Sequence, residues 1–310
     1  MTMHQELDVT AGPALFEQPV SRHLVHRAAV SEVMITGWRP FDEKTTILAA
    51  QWPRTHSFHR PVGGRHDPLL IAETIRQAGL VVSHAELGCP LDHQFLLWEL
   101  SYEADLGDLT IGTGPTNLVL RFTRSQVRHR GRNLAGLRAH VDLYRDGRLV
   151  GMGEGAFDCV SRAAYDRLRA AARPGGPPAP LPEPVAPALV GRDRPEDVVL
   201  GPAGLDDAWL LRVDPAHPVL FDHTVDHVPG MALMEAMRQA AMLLVQPAPV
   251  TPAKLYASFN RYVELRDPAI VRAHPEEVLA CGDVPVRVTI EQYGTTASSG
   301  LVVARPQRTG

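Results

Sequence analysis

Lysine is almost missing from this chain: of 31 basic residues only Lys44 and Lys254 are lysines. The remainder are arginines, whose planar forks suit carboxylates and phosphates, although codon usage in a GC-rich genome suffices to explain the bias. An excess of positive charge is also lacking. With 35 acidic residues the formal net charge is −4, which excludes a generally basic nucleic-acid binder, and neither a helix-turn-helix signal nor a basic stripe is present. Cysteine is scarce: Cys89, Cys159 and Cys281 are far apart and form no C-x-x-C pair, so neither a disulfide framework nor a zinc site is expected. No apolar run approaches the roughly 18 residues needed to span a bilayer. The amino terminus, with Glu6 and Asp8, has no basic segment followed by an apolar core. The expectation is a cytoplasmic protein with no membrane and no nucleic-acid partner.

What is present is a globular composition, 45% apolar and 21% charged over 310 residues, enough for a sizeable core. Proline is concentrated in one place: half of the positions from Pro174 to Pro187 are proline. Such a run cannot continue a helix or sit in a central strand, and it behaves as an extended spacer. It sets boundaries at 1–173, a linker at 174–188, and 189–310.

The two parts repeat each other. Val25-His26-Arg27, followed by Glu32-Val-Met-Ile35, recurs as Val190-Gly-Arg192, followed by Asp197-Val-Val-Leu200, displaced by 165 positions. Glu73-Thr-Ile-Arg76-Gln77-Ala78 recurs as Glu235-Ala-Met-Arg238-Gln239-Ala240, displaced by 162. His66-Asp-Pro68 has a counterpart in His227-Val-Pro229, allowing one gap. Three matches in one order at nearly one offset indicate a duplicated domain.

Leu69 to His84 and Met231 to Val245 are apolar almost all round, which predicts helices buried on most sides. Alternation at Leu118, Leu120 and Phe122, at Leu137, Ala139, Val141 and Leu143, and at Val286, Val288 and Ile290 predicts strands. Arg145-Asp-Gly-Arg148 supplies a hairpin turn. Each half therefore reads as one buried helix followed by antiparallel strands, an α+β layout in which a sheet wraps the helix.

Glu73 and Glu235 break the apolar rule in mid-helix. A buried carboxylate without a partner is costly, and its pKa rises instead. Arg76 and Arg238 at i+3, with Gln77 and Gln239 at i+4, lie on the same helix faces, so either an internal pair closing the halves or a catalytic carboxylate fits. Ahead of the second helix, Asp222-His223-Thr-Val-Asp226-His227-Val-Pro229-Gly230 places two Asp-His pairs before a helix start. Backbone N–H groups there suit a thioester carbonyl or its oxyanion, and the histidines suit acid–base work or simple turn capping. There is no helical H-x-x-x-H and no third ligand at a characteristic spacing, so no metal is expected.

Pro229-Gly230-Met231…Glu235-Ala resembles the helix start of hotdog-fold 3-hydroxyacyl-carrier-protein dehydratases. More specifically, Val25-His26-Arg27, Glu32-Val33 with Thr36-Gly37-Trp38, Asp222-His223…Asp226-His227-Val-Pro-Gly-Met231 and Glu235…Arg238-Gln239-Ala resemble the A-factor biosynthesis (AfsA-type) family of γ-butyrolactone signal synthases. The dehydratase histidine, about fourteen residues before the glutamate, is replaced here by Phe221, which argues against simple dehydration.

The resemblance implies a tandem (double) hotdog, antiparallel sheets wrapping two central helices as a pseudo-dimer in one chain, monomeric or further paired as a homodimer. It also implies an acyltransferase that moves a β-ketoacyl group from acyl carrier protein to the hydroxyl of dihydroxyacetone phosphate. No cofactor is expected beyond the phosphopantetheine of the carrier protein or of CoA. On that reading Glu235 or Glu73, its pKa raised by burial, is the general base. Arg238 holds that carboxylate or grips the phosphate, and His227 and His223 assist as acid or hydrogen-bond partners. Gly230, Met231, Arg76 and Gln239 bind substrate. The second-half site is favoured, because the first half lacks a glycine after Pro68. Another thioester enzyme, a thioesterase or dehydratase, and a non-catalytic acyl- or signal-binding module are the competing readings. Arg124, Arg128, Arg130 and Arg132 could meet an acidic carrier or simply form a solvated face.

Overall fold

The computed structural model describes residues 12–170 and 180–307. Residues 174–179 of the proline-rich stretch lie outside the described residues. Residues 180–186 of the stretch have no helix or strand, and Val185 N–H donates to Leu200 O at 3.0 Å.

The first half contains β1 (Ile35–Pro40), β2 (Thr45–Trp52), α1 (Leu69–Ala85) and β3 (Gln94–Ala104). It continues through β4 (Thr116–Arg130), β5 (Asn133–Arg145), β6 (Arg148–Val160) and a short helix, α2 (Arg162–Arg169). The second half contains β7 (Leu200–Leu205), β8 (Ala208–Leu211), α3 (Gly230–Leu244) and β9 (Val250–Phe259). It ends with β10 (Ile270–Pro275), β11 (Val284–Gln292) and β12 (Thr295–Pro306).

All twelve strands form one sheet in the order β1-β2-β4-β5-β6-β3-β9-β12-β11-β10-β8-β7. The order reads the same way outward from the β3/β9 seam, each strand of one half facing its repeat in the other. At the seam Leu100 pairs with Ala257 and Tyr102 with Leu255, antiparallel. Each half curls its part of the sheet around one long helix, the arrangement that the resemblance implies.

The two long helices, α1 and α3, have almost no solvent face. Fourteen of the 17 residues of α1 are buried, and α3 is buried without a break from Met231 to Ala241. The β5/β6 turn is the expected hairpin: Asp146 and Gly147 both have positive φ, 50° and 77°, as a tight two-residue turn requires. The expected order of elements needs one correction, because a strand pair precedes each helix. β2 (TTILAAQW) is buried at almost every position, so it has no two-residue alternation to read. β7 is interrupted by glycine and proline, which read as turn signals.

Candidate active site

The repeated Glu-x-x-Arg-Gln motifs build the same clamp twice. Glu73 Oε1 is 2.7 Å from Arg27 Nη2 and accepts from Arg76 Nη2 and Gln77 Nε2, both at 2.7 Å, while Oε2 accepts from Arg76 Nε at 2.9 Å. Glu235 Oε2 is 2.7 Å from both Arg192 Nη2 and Arg238 Nε, and its Oε1 accepts from Arg238 Nη2 at 2.8 Å. Each glutamine also ties its helix to the chain entering the first strand: Gln77 accepts from Met34 N–H and Gln239 from Val199 N–H. Each outer arginine then crosses to the other half, Arg27 donating to Val219 O at 3.0 Å and Arg192 to Phe58 O at 2.7 Å. The clamp joins halves as well as helices.

This corrects the expectation of raised carboxyl pKa values. Burial does push both carboxyls up, but the two guanidiniums beside each outweigh it. Glu73 is held well below the usual carboxylate range, and Glu235 is brought down to about 2. Both stay ionised with their oxygens occupied, which suits anchors and not proton acceptors near neutral pH.

The two clamps differ in what lies beside them. A cavity of about 600 Å³ is lined at its polar end by His26, Arg27, Glu73, Arg76, His223, His227, Gly230 and Met231. An apolar arm, including Ile75, Leu80, Phe95, Phe122, Ala139 and Phe157, runs between α1 and the first-half strands. Glu235, Arg238 and Gln239 are not among its walls. Arg238 is 5% exposed, with its Nη1 set against Met242 Sδ at 3.3 Å, whereas Arg76 is 21% exposed and commits only Nε and Nη2 among the described residues. A phosphate grip by Arg238 is therefore ruled out by burial, and Arg76 is the accessible fork.

The two helix starts differ in the same sense. At α3, Pro229 O accepts from Ala232 and Leu233 N–H, while the N–H groups of Gly230 and Met231, the first of the helix, find no acceptor among the described residues, and both residues line the cavity. A Cβ on Gly230 would lie 2.9 Å from Leu97 Cδ2, so a larger residue there has to displace the Leu97 side chain. At α1 the corresponding N–H, of Leu69, is taken by Asp67 Oδ1 at 2.9 Å. Phe58 fills the space beyond it, buried beneath the Arg192 guanidinium at 4.1 Å. The pseudo-symmetric second site is closed by its own side chains.

The loop before α3 holds its two Asp-His pairs differently. Asp222 accepts from Ala28 and Ala29 N–H at 2.6 and 3.0 Å, fastening the loop to the first half, and His223 Nδ1 lies at a longer 3.4 Å from it. Asp226 Oδ1 is 2.8 Å from His227 Nδ1. With the proton assigned to Nδ1 and donated to Asp226, Nε2 of His227 carries a lone pair. His227 packs edge-on against Tyr262, ring centroids 4.7 Å apart. On the opposite wall, His26 Nε2 and His84 Nε2 are 2.9 Å apart and His84 Nδ1 is 2.8 Å from Cys89 O. Burial, followed by the neighbouring His84 and Arg76, brings His26 down to about 3, so it stays neutral.

Of the residues singled out from sequence, the fold thus gathers Glu73, Arg76, His223, His227, Gly230 and Met231 around one cavity and leaves Glu235, Arg238 and Gln239 in the mirror clamp. Arg27 and Arg192 were visible only as the invariant third position of the repeated Val-x-Arg. Tyr165 and Arg169 of α2, which hold Asp226, carried no sequence signal. Arg124, read as a surface arginine, is 9% exposed and bonded to Glu86.

Comparison with known proteins agrees with this architecture. The description "A-factor biosynthesis hotdog domain" (AfsA) matches residues 10–161 and 176–306. A protein of Streptomyces virginiae called 2-oxo-3-(phosphooxy)propyl 3-oxoalkanoate synthase is 48% identical, covering 92% of this chain and 97% of its own length. Its namesake in Streptomyces coelicolor is 39% identical over 89% and 88%. Among solved structures, the 12:0-ACP thioesterase from Umbellularia californica superposes with a TM-score of 0.51 at 9% identity, covering 84% of this chain and 94% of that one. An acyl-ACP thioesterase from Bacteroides thetaiotaomicron gives 0.50 at 13%, covering 84% and 98%; both show the hotdog fold alone. Two matched copies in one chain, with curated relatives along nearly its whole length, place it: the chain belongs to the A-factor biosynthesis hotdog family.

Proposed function

We propose that this chain is a 2-oxo-3-(phosphooxy)propyl 3-oxoalkanoate synthase. Such a product is the ester of a 3-oxo acid with dihydroxyacetone phosphate. The acyl group arrives as a thioester on the phosphopantetheine of acyl carrier protein or CoA, and no other cofactor takes part. One observation carries this reading: a single cavity joins an open helix start, an Asp–His dyad, a partly exposed arginine and an apolar arm.

Each part has one task. The apolar arm takes the acyl chain, and the N–H groups of Gly230 and Met231 receive the thioester oxygen as it becomes an oxyanion. Arg76, held in place by Glu73, takes the phosphate. His227 Nε2 removes the proton of the attacking hydroxyl as the new C–O bond forms. When the C–S bond breaks, the imidazolium returns that proton to the departing thiolate. Asp226 keeps the imidazole in the required tautomer and offsets its charge, and Arg27 with Glu73 fixes the wall opposite. The base is thus assigned to His227, because the glutamates are locked as anchors.

The test is incubation with a 3-oxoacyl carrier protein and dihydroxyacetone phosphate, followed by mass spectrometry. The phosphorylated 3-oxo ester is the expected product. Free 3-oxo acid, formed equally with and without the acceptor, would instead identify a thioesterase.

A further inference from the structure

The helix α2 lies outside both repeats of the clamp, yet it makes the densest set of polar contacts to the dyad. Tyr165 Oη donates to Asp226 Oδ1 at 2.6 Å, the same oxygen that faces His227 Nδ1, and lies 3.3 Å from that nitrogen. Arg169 Nε donates to Asp226 Oδ2 at 2.9 Å, and its Nη2 to Asp226 O at 3.1 Å. The other edge of the guanidinium forms a fork with Glu264, both bonds at 2.8 Å. Its flat face lies 4.3 Å from the Tyr262 ring, the ring that also packs on His227. Both carboxylate oxygens of Asp226 thus accept from α2. The helix comes from the first half; the dyad comes from the second.

We propose that Tyr165 and Arg169 are positioning residues of the acyl transfer, which act through Asp226 to set the orientation and basicity of His227. This rests on the assignment of His227 as the base. A carboxylate that already accepts from a phenol and a guanidinium has less charge density to offer a third donor. It therefore stabilises the protonated imidazole less than a bare aspartate would. Arg169 also opposes that protonated form directly by its own charge. Neighbouring groups that bear on the imidazole are Asp226 and His223 on its own loop, Tyr165 and Arg169 on α2, and Tyr262 and Glu264 after β9. Arg76, His26 and Glu73 stand across the cavity. Of these, only the α2 pair contacts Asp226 and lies outside the cavity's polar end, so it can tune the dyad without touching either substrate.

The sign of the effect follows. Loss of the Tyr165 hydroxyl or of the Arg169 charge strengthens Asp226's hold on the imidazolium, so the acid limb of the kcat/KM profile moves to higher pH.

The experiment measures pH profiles of ester formation for wild type, Tyr165→Phe, Arg169→Met and His227→Asn, with KM for dihydroxyacetone phosphate and the thermal midpoint of each. The expected result is an upward shift of the limb of about half a pH unit or more in both α2 variants, with acceptor KM unchanged. The phenylalanine variant keeps its packing and its thermal midpoint. An unmoved limb, or an activity loss equal at every pH that tracks a lowered thermal midpoint, overturns the proposal while leaving His227 as base. Full activity of His227→Asn overturns the assignment of the base itself, and is told apart from failure at α2 by that variant alone.

Discussion

Asp67 caps the N–H of Leu69 at 2.9 Å, and in doing so it places a carboxylate where the open start of α3 leaves room for a substrate oxygen. Asp67 is itself held well below the usual carboxylate range: burial pushes it up, but His59, Arg238 and Arg192 more than reverse this. The anion position at α1 is occupied by the protein. Isothermal titration with a non-hydrolysable 3-oxoacyl-pantetheine should therefore give one site per chain, and Gly230→Val should weaken it by pushing the Leu97 side chain aside. Two sites per chain would contradict the closure of the first-half copy.

Glu235 should matter for stability rather than turnover. Its replacement by glutamine leaves two buried guanidiniums, Arg192 and Arg238, to share the single carboxylate of Asp67, a change that costs about 3–5 kcal/mol, read from denaturant unfolding. The pH dependence has a definite sign. Held at about 2 against 4.5 for an ordinary glutamate, the carboxyl contributes stability that is complete above 4.5 and lost as pH falls toward 2. Acid unfolding of Glu235→Gln should lack that portion of the slope. An unchanged unfolding midpoint would show that the clamp contributes nothing.

His227→Asn should lower kcat by roughly 10²–10⁴-fold with little change in the thermal midpoint, since the side chain is 28% exposed. Asp226→Asn should follow it in direction. Wild-type kcat in both variants would remove the dyad from the mechanism.

Arg76→Lys keeps the charge but loses the fork. It should raise KM for dihydroxyacetone phosphate about tenfold or more, while the slow reaction with unphosphorylated dihydroxyacetone changes far less. An equal effect on both acceptors would mean that Arg76 serves the clamp and not the phosphate.

Ala139 on β5 borders the apolar arm. Ala139→Leu should move the acyl preference to shorter chains, with each methylene excluded worth about 0.8 kcal/mol in kcat/KM. A competition assay with 3-oxoacyl donors of graded length reads this directly.

Much of this was legible in the residues and some was not, for reasons that can be stated. The paired Glu-x-x-Arg-Gln motifs and the run before α3 stand out because a charged or turn-forming residue in an apolar helix or at its start has few bland explanations. The direction of the carboxyl shifts was misread because the deciding partners, Arg27 and Arg192, lie 46 and 43 positions before their glutamates, beyond any helical spacing rule. Which helix start is open turns on Phe58 and Asp67, whose roles depend on what stands behind them in space. The α2 contacts to Asp226 span 57 to 61 positions and leave no periodic trace. β2 escaped notice because it is covered on both faces.

The palindromic order about the β3/β9 seam has a consequence for how such a protein can change. In a dimer of identical subunits, every substitution is written into both sites at once, so a residue that plugs one active site plugs the other. Joining the copies in a single chain removes that coupling. Phe58 could become large while its repeat partner stayed Val219, and the glycine that opens α3 could face a leucine at the start of α1. The closed copy is then free to serve as a rigid wall for the open one.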